Sequence, residues 1–131
     1  MKTRQLVCAC LGLLLFAGVM SAELLAQDKQ IPAEQAVRFG GKEGMVCGKV
    51  ESAKFAQNTE GQPTFLHMGA PFPRHTFAVK ILGVNRDKWP SPPDELVGKL
   101  ICVTGKISRA GATRAEMEID DPSQMKLGVA K

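Results

Sequence analysis

The sequence is poor in the side chains on which most metal and catalytic sites depend. Its 131 residues include two histidines, four cysteines, one tryptophan and no tyrosine. A zinc site normally uses three or four ligands, so the two histidines, His67 and His75, do not complete one. There is also no glycine-rich phosphate loop and no cysteine–histidine pairing that would activate a thiol. We therefore expect neither a metal nor a cofactor, and interpret the histidines as surface residues flanking a loop.

The acidic residues do not form an obvious catalytic group either. They gather near the end of the chain, where Glu116, Glu118 and Asp120 share one face of a predicted strand, as expected for its solvated side. A two-metal nuclease site would need acids brought together from several elements, and the other predicted strands offer few. The sequence therefore predicts a protein that is not an enzyme and has no catalytic residues.

Net charge is small once the N-terminus is set apart. The formal charge is +4, from 17 basic and 13 acidic side chains. The first 22 residues contain Lys2 and Arg4 and no acid, so the remainder carries a net charge of +2. A balance this mild does not by itself imply nucleic acid, for which a strong basic field is expected.

The N-terminus contains the longest apolar run of the chain. Lys2 and Arg4 precede apolar residues over 6–20, and small or polar residues follow. This order is typical of an export signal, which we assign to residues 1–26. The residue before the cleavage point is left open among three candidates: Ser21, Ala22 and Ala26. The run is short for a bilayer span, although an uncleaved anchor is the competing interpretation. We expect a periplasmic or secreted protein without stable membrane insertion after signal removal.

Beyond the signal, a change of period indicates a small β-domain. "IPAEQAVRF" predicts a short helix that begins near Pro32 and ends at the two glycines that follow. From Met45 onward, alternation with a period of two predicts five strands. They correspond to the segments "MVCGKVE", "PTFLHM", "TFAVKIL", "KLICVTGKI" and "RAEMEI". The second and third form a hairpin around the wide loop "GAPFPRH", because proline and glycine interrupt strands.

The order of these elements indicates a fold. A helical turn is predicted at "DELV", after Ser91 and before Gly98, and therefore between the third and fourth strands. Five strands with a short helix at that point are the order of the oligonucleotide/oligosaccharide-binding barrel, the OB-fold. We expect an all-β OB-fold domain over residues 31–125 and a C-terminal tail over residues 126–131.

Two cysteines outside the signal then acquire a structural role. In the OB topology the first strand lies beside the fourth. Cys47 is out of phase with Val46, and Cys102 is out of phase with Ile101, so both thiols leave the same outer side of neighbouring strands. A cross-strand disulfide is geometrically possible there, and an oxidising compartment favours it. Two unpaired thiols are the alternative.

The chain also resembles a known family, from about Val46 to Met125. Four segments carry the resemblance: "PTFL" at 63–66, "PFP" at 71–73, "ICVTG" at 101–105 and "DPSQ" at 121–124. They are similar to small exported bacterial OB-fold domains, related in pattern to nucleic-acid-binding OB modules and found alone or attached to secreted nucleases. The resemblance implies the OB-fold and a ligand-binding role. Such domains usually carry an aromatic residue and Gly-x-Pro near the turn into the last strand, and "SRAGATRAEMEI" has neither.

Nucleic-acid binding on this fold uses the face of strands two and three, with bases stacked on aromatics and phosphates held by lysine or arginine. The candidate ligand-binding residues are Lys49, Phe65, His67, Phe72, Arg74, Lys80 and Trp89. Phe77 is assigned to the core instead. With so few exposed aromatics, weak and salt-sensitive binding to single-stranded nucleic acid is expected.

A binding module for a small ligand, a glycan or a protein partner is the alternative, with the Pro-Phe-Pro loop as the contact. The fifth strand is then a candidate edge, open to pairing with a partner chain.

Overall fold

The computed structural model describes residues 29–128, so the predicted signal over residues 1–26 lies outside the described residues. Within this range the chain is mainly β, with short helices. The strands are β1 (Gln30–Pro32), β2 (Glu43–Phe55), β3 (Thr64–Met68), β4 (Phe77–Ile81), β5 (Leu100–Lys106), β6 (Ser108–Arg109), β7 (Ala115–Glu118) and β8 (Met125–Leu127). One α-helical turn, α1, spans Gly83–Arg86, and 3-10 helices span Ala33–Phe39, Pro93–Leu96 and Pro122–Gln124.

The strands form one curled mixed sheet, a half-barrel. Its order is β6-β7-β4-β3-β2-β5-β8, with β1 beside β2. The predicted adjacency of the first and fourth strands is confirmed, because β2 pairs antiparallel with β5. The count of five strands is too low, since β1, β6 and β8 are also present. The expectation of an open fifth strand is wrong, because β7 lies between β4 and β6. The arrangement is consistent with an OB-like barrel.

Strand β2 is long enough to pair with two different strands along its length. Its 13 residues pair first with β5 and then with β3. The register shifts between Val50 and Ser52, so Glu51 is an extra residue at a β-bulge. Because side chains alternate with a strict period of two, one extra residue reverses which face the following side chains occupy. Ser52 and Lys54 therefore leave the sheet on its solvent side.

The core fills the concave side of the half-barrel with aliphatic and aromatic side chains. Phe77 is fully buried, as expected. The 3-10 helix at Ala33–Phe39 packs on β2 through small residues, since Ala33 and Ala36 are buried. A Cβ at Gly48 would lie 3.2 Å from the side chains of Ala33 and Met68, so glycine permits this close approach.

The predicted disulfide is present. Cys47 and Cys102 are direct register partners on β2 and β5, and their sulfurs are bonded. The alternative of two unpaired thiols is therefore wrong. Disulfides persist in oxidising compartments, so the bond is typical of a protein that works outside the cytoplasm.

The C-terminal segment is more ordered than the predicted tail. Lys126 and Leu127 belong to β8, which pairs with β5. Before it, Asp121 caps the last 3-10 helix by accepting a hydrogen bond from the backbone N–H of Ser123 at 2.9 Å. The side chain of Gln124 accepts from the N–H of Asp120 and donates to the carbonyl oxygen of Thr104 on β5. The "DPSQ" segment thus ties the end of β7 to β5.

Candidate functional site

The convex side of β2, β3, β4 and β7 carries two rows of side chains that run across the strands. We call this surface the outer face. The first row contains Lys54, Phe65, Lys80 and Glu118. The second row contains Ser52, His67, Ala78 and Glu116. Each row takes one residue from each strand, because directly paired residues on neighbouring strands lie on the same face of the sheet. Phe65 and His67 alternate with the buried Leu66 and Met68, which face the core.

The β3–β4 loop folds onto the second row and forms a cluster of rings. The ring centroids of His67 and His75 lie 4.4 Å apart, and that of Phe72 lies 5.2 Å from His67 and 5.7 Å from His75. Phe65 continues the cluster along β3 at 6.3 Å from His67. Phe72 nevertheless remains 58% exposed. The loop therefore presents one aromatic face to solvent while it covers two others.

Hydrogen bonds from neighbouring strands hold the loop in this position. Ser52 Oγ accepts from the N–H of Phe72 at 3.0 Å and lies 3.0 Å from His67 Nδ1. Arg114, just before β7, donates to the carbonyl oxygens of Pro73 and His75. At the start of the loop Gly69 has φ +90°, and a Cβ there would collide with the Thr76 side chain. A larger residue at that position would displace the loop.

Both histidines are buried, which corrects the expectation that they are surface residues. His67 is 4% exposed and His75 is 8% exposed, because the loop closes over them. Burial lowers the pKa of His67 to about 4, with further lowering from His75 and Arg114. Burial is also the main cause that lowers the pKa of His75, and the positive charge of Arg114 lowers it further. Both imidazoles are therefore neutral at pH 7, and the positive charge nearby comes from lysine and arginine.

A pocket of about 210 Å³ opens beside the ring cluster. Its lining comprises Phe65, His67, Phe72, His75, Ala78, Ala110, Arg114, Ala115 and Glu116. Glu116 and Arg114 bring opposite charges to the β7 side, and the rings form the β3 side. His75 Nδ1 is buried and has no hydrogen-bond partner among the described residues. The pocket thus combines aromatic surface with donors and acceptors.

The structure brings together four of the seven predicted ligand-binding residues. Phe65, His67, Phe72 and Lys80 lie on the outer face or in the ring cluster that covers it. The other three lie outside this group. Lys49 precedes the bulge and faces solvent opposite Leu100 on β5. Arg74 is exposed on the loop but does not line the pocket.

Trp89 is 9% exposed and packs in the core, after α1. This burial removes the stacking surface that the sequence led us to expect there.

Several residues of the site were not among the predicted ligand-binding groups. Lys54 and Ser52 lie on the outer face only because of the bulge. A strict alternation continued through Glu51 would place both side chains on the core face instead. Arg114 and Glu116 belong to a turn and a strand end that sequence places far from the loop they meet. A signal was present for Glu116, since it alternates with the buried Ala115 and Met117.

Two kinds of feature are absent from residues 29–128. No group of three or more histidine, cysteine, aspartate or glutamate side chains in that range is placed to hold a metal ion. In the same range no helix has the length and apolar character needed to cross a membrane.

Comparison with known proteins gives a structural likeness and no family. No protein-family model matches the chain, and neither does any curated protein. Among solved structures, the chain is similar to the crystal structure of a protein from Leishmania major Friedlin assigned as an aspartyl-tRNA synthetase. The TM-score is 0.47 at 9% sequence identity, and the match covers 78% of this chain and 21% of the synthetase. The chain thus spans about a fifth of that protein.

Proposed function

We propose that this chain is an exported, non-catalytic OB-fold binding protein whose outer face binds single-stranded nucleic acid weakly. The observation that carries the proposal is the first cross-strand row, in which Phe65 lies between Lys54 and Lys80 on adjacent strands. An aromatic ring between two cations matches a nucleotide chain, since a base stacks on the ring while phosphates on either side meet the lysines. Phe72, which is exposed, adds a second ring to the half-buried Phe65 within the same cluster.

The same face explains why binding should be weak. Glu116 and Glu118 lie on β7, in the same two rows, and repel phosphate. The positive charge on this part of the sheet is therefore partly offset. Base stacking contributes about 1–3 kcal/mol per base, and the outer face offers few rings. We expect affinity that depends on both stacking and salt.

Fluorescence anisotropy of a labelled single-stranded oligonucleotide, titrated with the purified protein at two salt concentrations, tests the proposal. Affinity should fall as salt rises, with a slope of roughly −0.7 in log–log form for each phosphate contacted. Phe72→Ala should weaken binding by roughly 5- to 150-fold, the equivalent of one lost stacking contact. Val84→Ala is the matched control, because Val84 is 82% exposed and lies on α1 rather than on the outer face.

Two results would count against the proposal. Absence of binding at low salt would exclude nucleic acid as the ligand. A ligand of another class that binds independently of salt, and still requires Phe72, would support the alternative, a protein or glycan contact through the Pro-Phe-Pro loop.

A further inference from the structure

The second cross-strand row has a hollow at its centre. Ala78 on β4 lies between His67 on β3 and Glu116 on β7, as its direct partner on each side. Neighbouring strands are about 4.8 Å apart, so the two flanking residues are separated by about 10 Å across a single methyl group. The space above Ala78 is part of the pocket of about 210 Å³. At about 30 Å³ per water molecule, this volume is roughly seven waters, enough for one flat heterocyclic ring system.

Some polar groups around this hollow lack hydrogen-bond or ion-pair partners among the described residues. Within residues 29–128, neither Glu116 nor Arg114 forms an ion pair. The ion pair that is present in this range joins Arg86 and Asp94, away from the pocket. Arg114 uses Nε and one Nη for the loop carbonyls, which leaves its other Nη nitrogen facing no described acceptor. The carboxylate of Glu116 and this Arg114 nitrogen can therefore hydrogen-bond a ligand without breaking a contact of the fold.

Glu116 decides what kind of ligand chemistry fits. A carboxylate next to a phosphate is repulsive, so on a nucleic-acid-binding face Glu116 is favourable only where it meets hydrogen-bond donors. Its two oxygens can accept two parallel hydrogen bonds. Among the bases, guanine presents two adjacent donors on its pairing edge, N1–H and the N2 amino group. Adenine and cytosine present one amino group beside an acceptor nitrogen, and thymine presents one N–H between two carbonyls.

Resting on the proposed function, we propose that the pocket binds a guanine base of the single strand. Glu116 accepts from N1–H and the N2 amino group, Arg114 donates to O6, and Phe72 contacts the ring. The two rows then have different roles. The row around Phe65 contacts the nucleic-acid backbone and stacks on any base, and the row around Ala78 selects the base. This assignment also gives a role to the negative charge that otherwise opposes binding on this face.

The test compares 11-mers that differ at one base. Thymidine 11-mers with guanine, inosine, adenine, cytosine or thymine at the central position are titrated with the purified protein by anisotropy. A bidentate contact to a base is expected to favour guanine over thymine by about tenfold or more. Inosine keeps N1–H and O6 but lacks the N2 amino group, so its affinity should lie between those of guanine and thymine.

Two variants on the same strand separate base selection from charge. Glu116→Gln and Glu118→Gln each remove one negative charge from the outer face, so the two variants are matched in net charge. Glu116→Gln should abolish the preference for guanine, whereas Glu118→Gln should retain it, because Glu118 does not line the pocket.

The outcomes distinguish the two proposals. If no 11-mer binds at low salt, both the proposed function and the guanine assignment are wrong. If the parent protein binds all 11-mers equally, or Glu116→Gln keeps the guanine preference, the guanine assignment alone is wrong. The comparison of bases in the parent protein does not depend on how either variant folds.

Discussion

The two halves of the sheet differ in what holds them and in what they expose. The disulfide half consists of β1, residues 43–49 of β2, β5 and β8, and it is joined covalently at Cys47–Cys102. The ligand half consists of residues 52–55 of β2, β3, β4 and β7. It has no disulfide bond among the described residues, and it carries the ring cluster and the pocket. Because β2 runs through both halves, the disulfide and the proposed ligand-binding surface are separated along one strand, at the bulge.

The largest expected effect comes from removing the covalent link. Replacing Cys47 and Cys102 together by alanine should lower the free energy of unfolding by about 2–4 kcal/mol, because the bond closes a long loop in the unfolded chain. The two cysteines are 55 positions apart. Denaturant unfolding measures the change. If the two halves are independent, oligonucleotide affinity of the folded variant should stay within about twofold of the parent value. A large loss of affinity at unchanged folded fraction would show that the halves are coupled.

Acid should weaken the ligand half through its buried histidines. The pKa of His67 is about 4 in the folded protein, against an ordinary value of 6.5. The unfolded chain therefore binds a proton more readily, and stability falls as pH drops from about 6.5 to about 4. The loss should be at most about 3 kcal/mol, because the pKa of His67 differs by about 2.5 between the two states and each unit corresponds to about 1.4 kcal/mol. Denaturant unfolding at several pH values in this window measures it.

Variants at His67 test the origin of this acid sensitivity. His67→Gln should flatten the dependence between pH 6.5 and 4 but not abolish it, because the pKa of His75 is also lowered by burial. Asp121 does not account for the acid sensitivity in this window, because hydrogen bonds from Ser123 lower its pKa from the ordinary value of 3.8. If the variant keeps the full parent slope, His67 is not the group that titrates.

The sequence predicted the disulfide half better than the ligand half. Alternation along "VCGKV" and "LICVTG" is unbroken, and together with the OB topology it predicted the pairing of β2 with β5 and the partnership of the cysteines. Strands β1 and β8 were missed because three residues are too few to show a period. The proline-rich segment around Trp89 was read as a loop, but the tryptophan packs into the core.

The ligand half depends on contacts that no local pattern contains. The loop after β3 was correctly placed between two strands, yet it buries His67 and His75 because Ser52 and Arg114 hold it down from other elements. Hydrogen bonds between residues 20 or more positions apart leave no periodic signal in the sequence. Phe65, Phe72 and Lys80 could be predicted to lie near one another because each is a distinctive side chain on a correctly predicted strand or loop.

The bulge itself provides the smallest and most direct test of the comparison. Lys49 and Lys54 are exposed lysines on the same strand, one on each side of the bulge, and only Lys54 lies in the row with Phe65. Both changes to alanine remove one positive charge, so a long-range field would make their effects equal. If Lys54 contacts a phosphate directly, Lys54→Ala should weaken oligonucleotide binding and reduce the salt slope by roughly one phosphate contact. Lys49→Ala should leave the slope unchanged. Equal effects in the salt titration would mean that the sheet attracts the strand through overall charge, and that the bulge does not set the binding face.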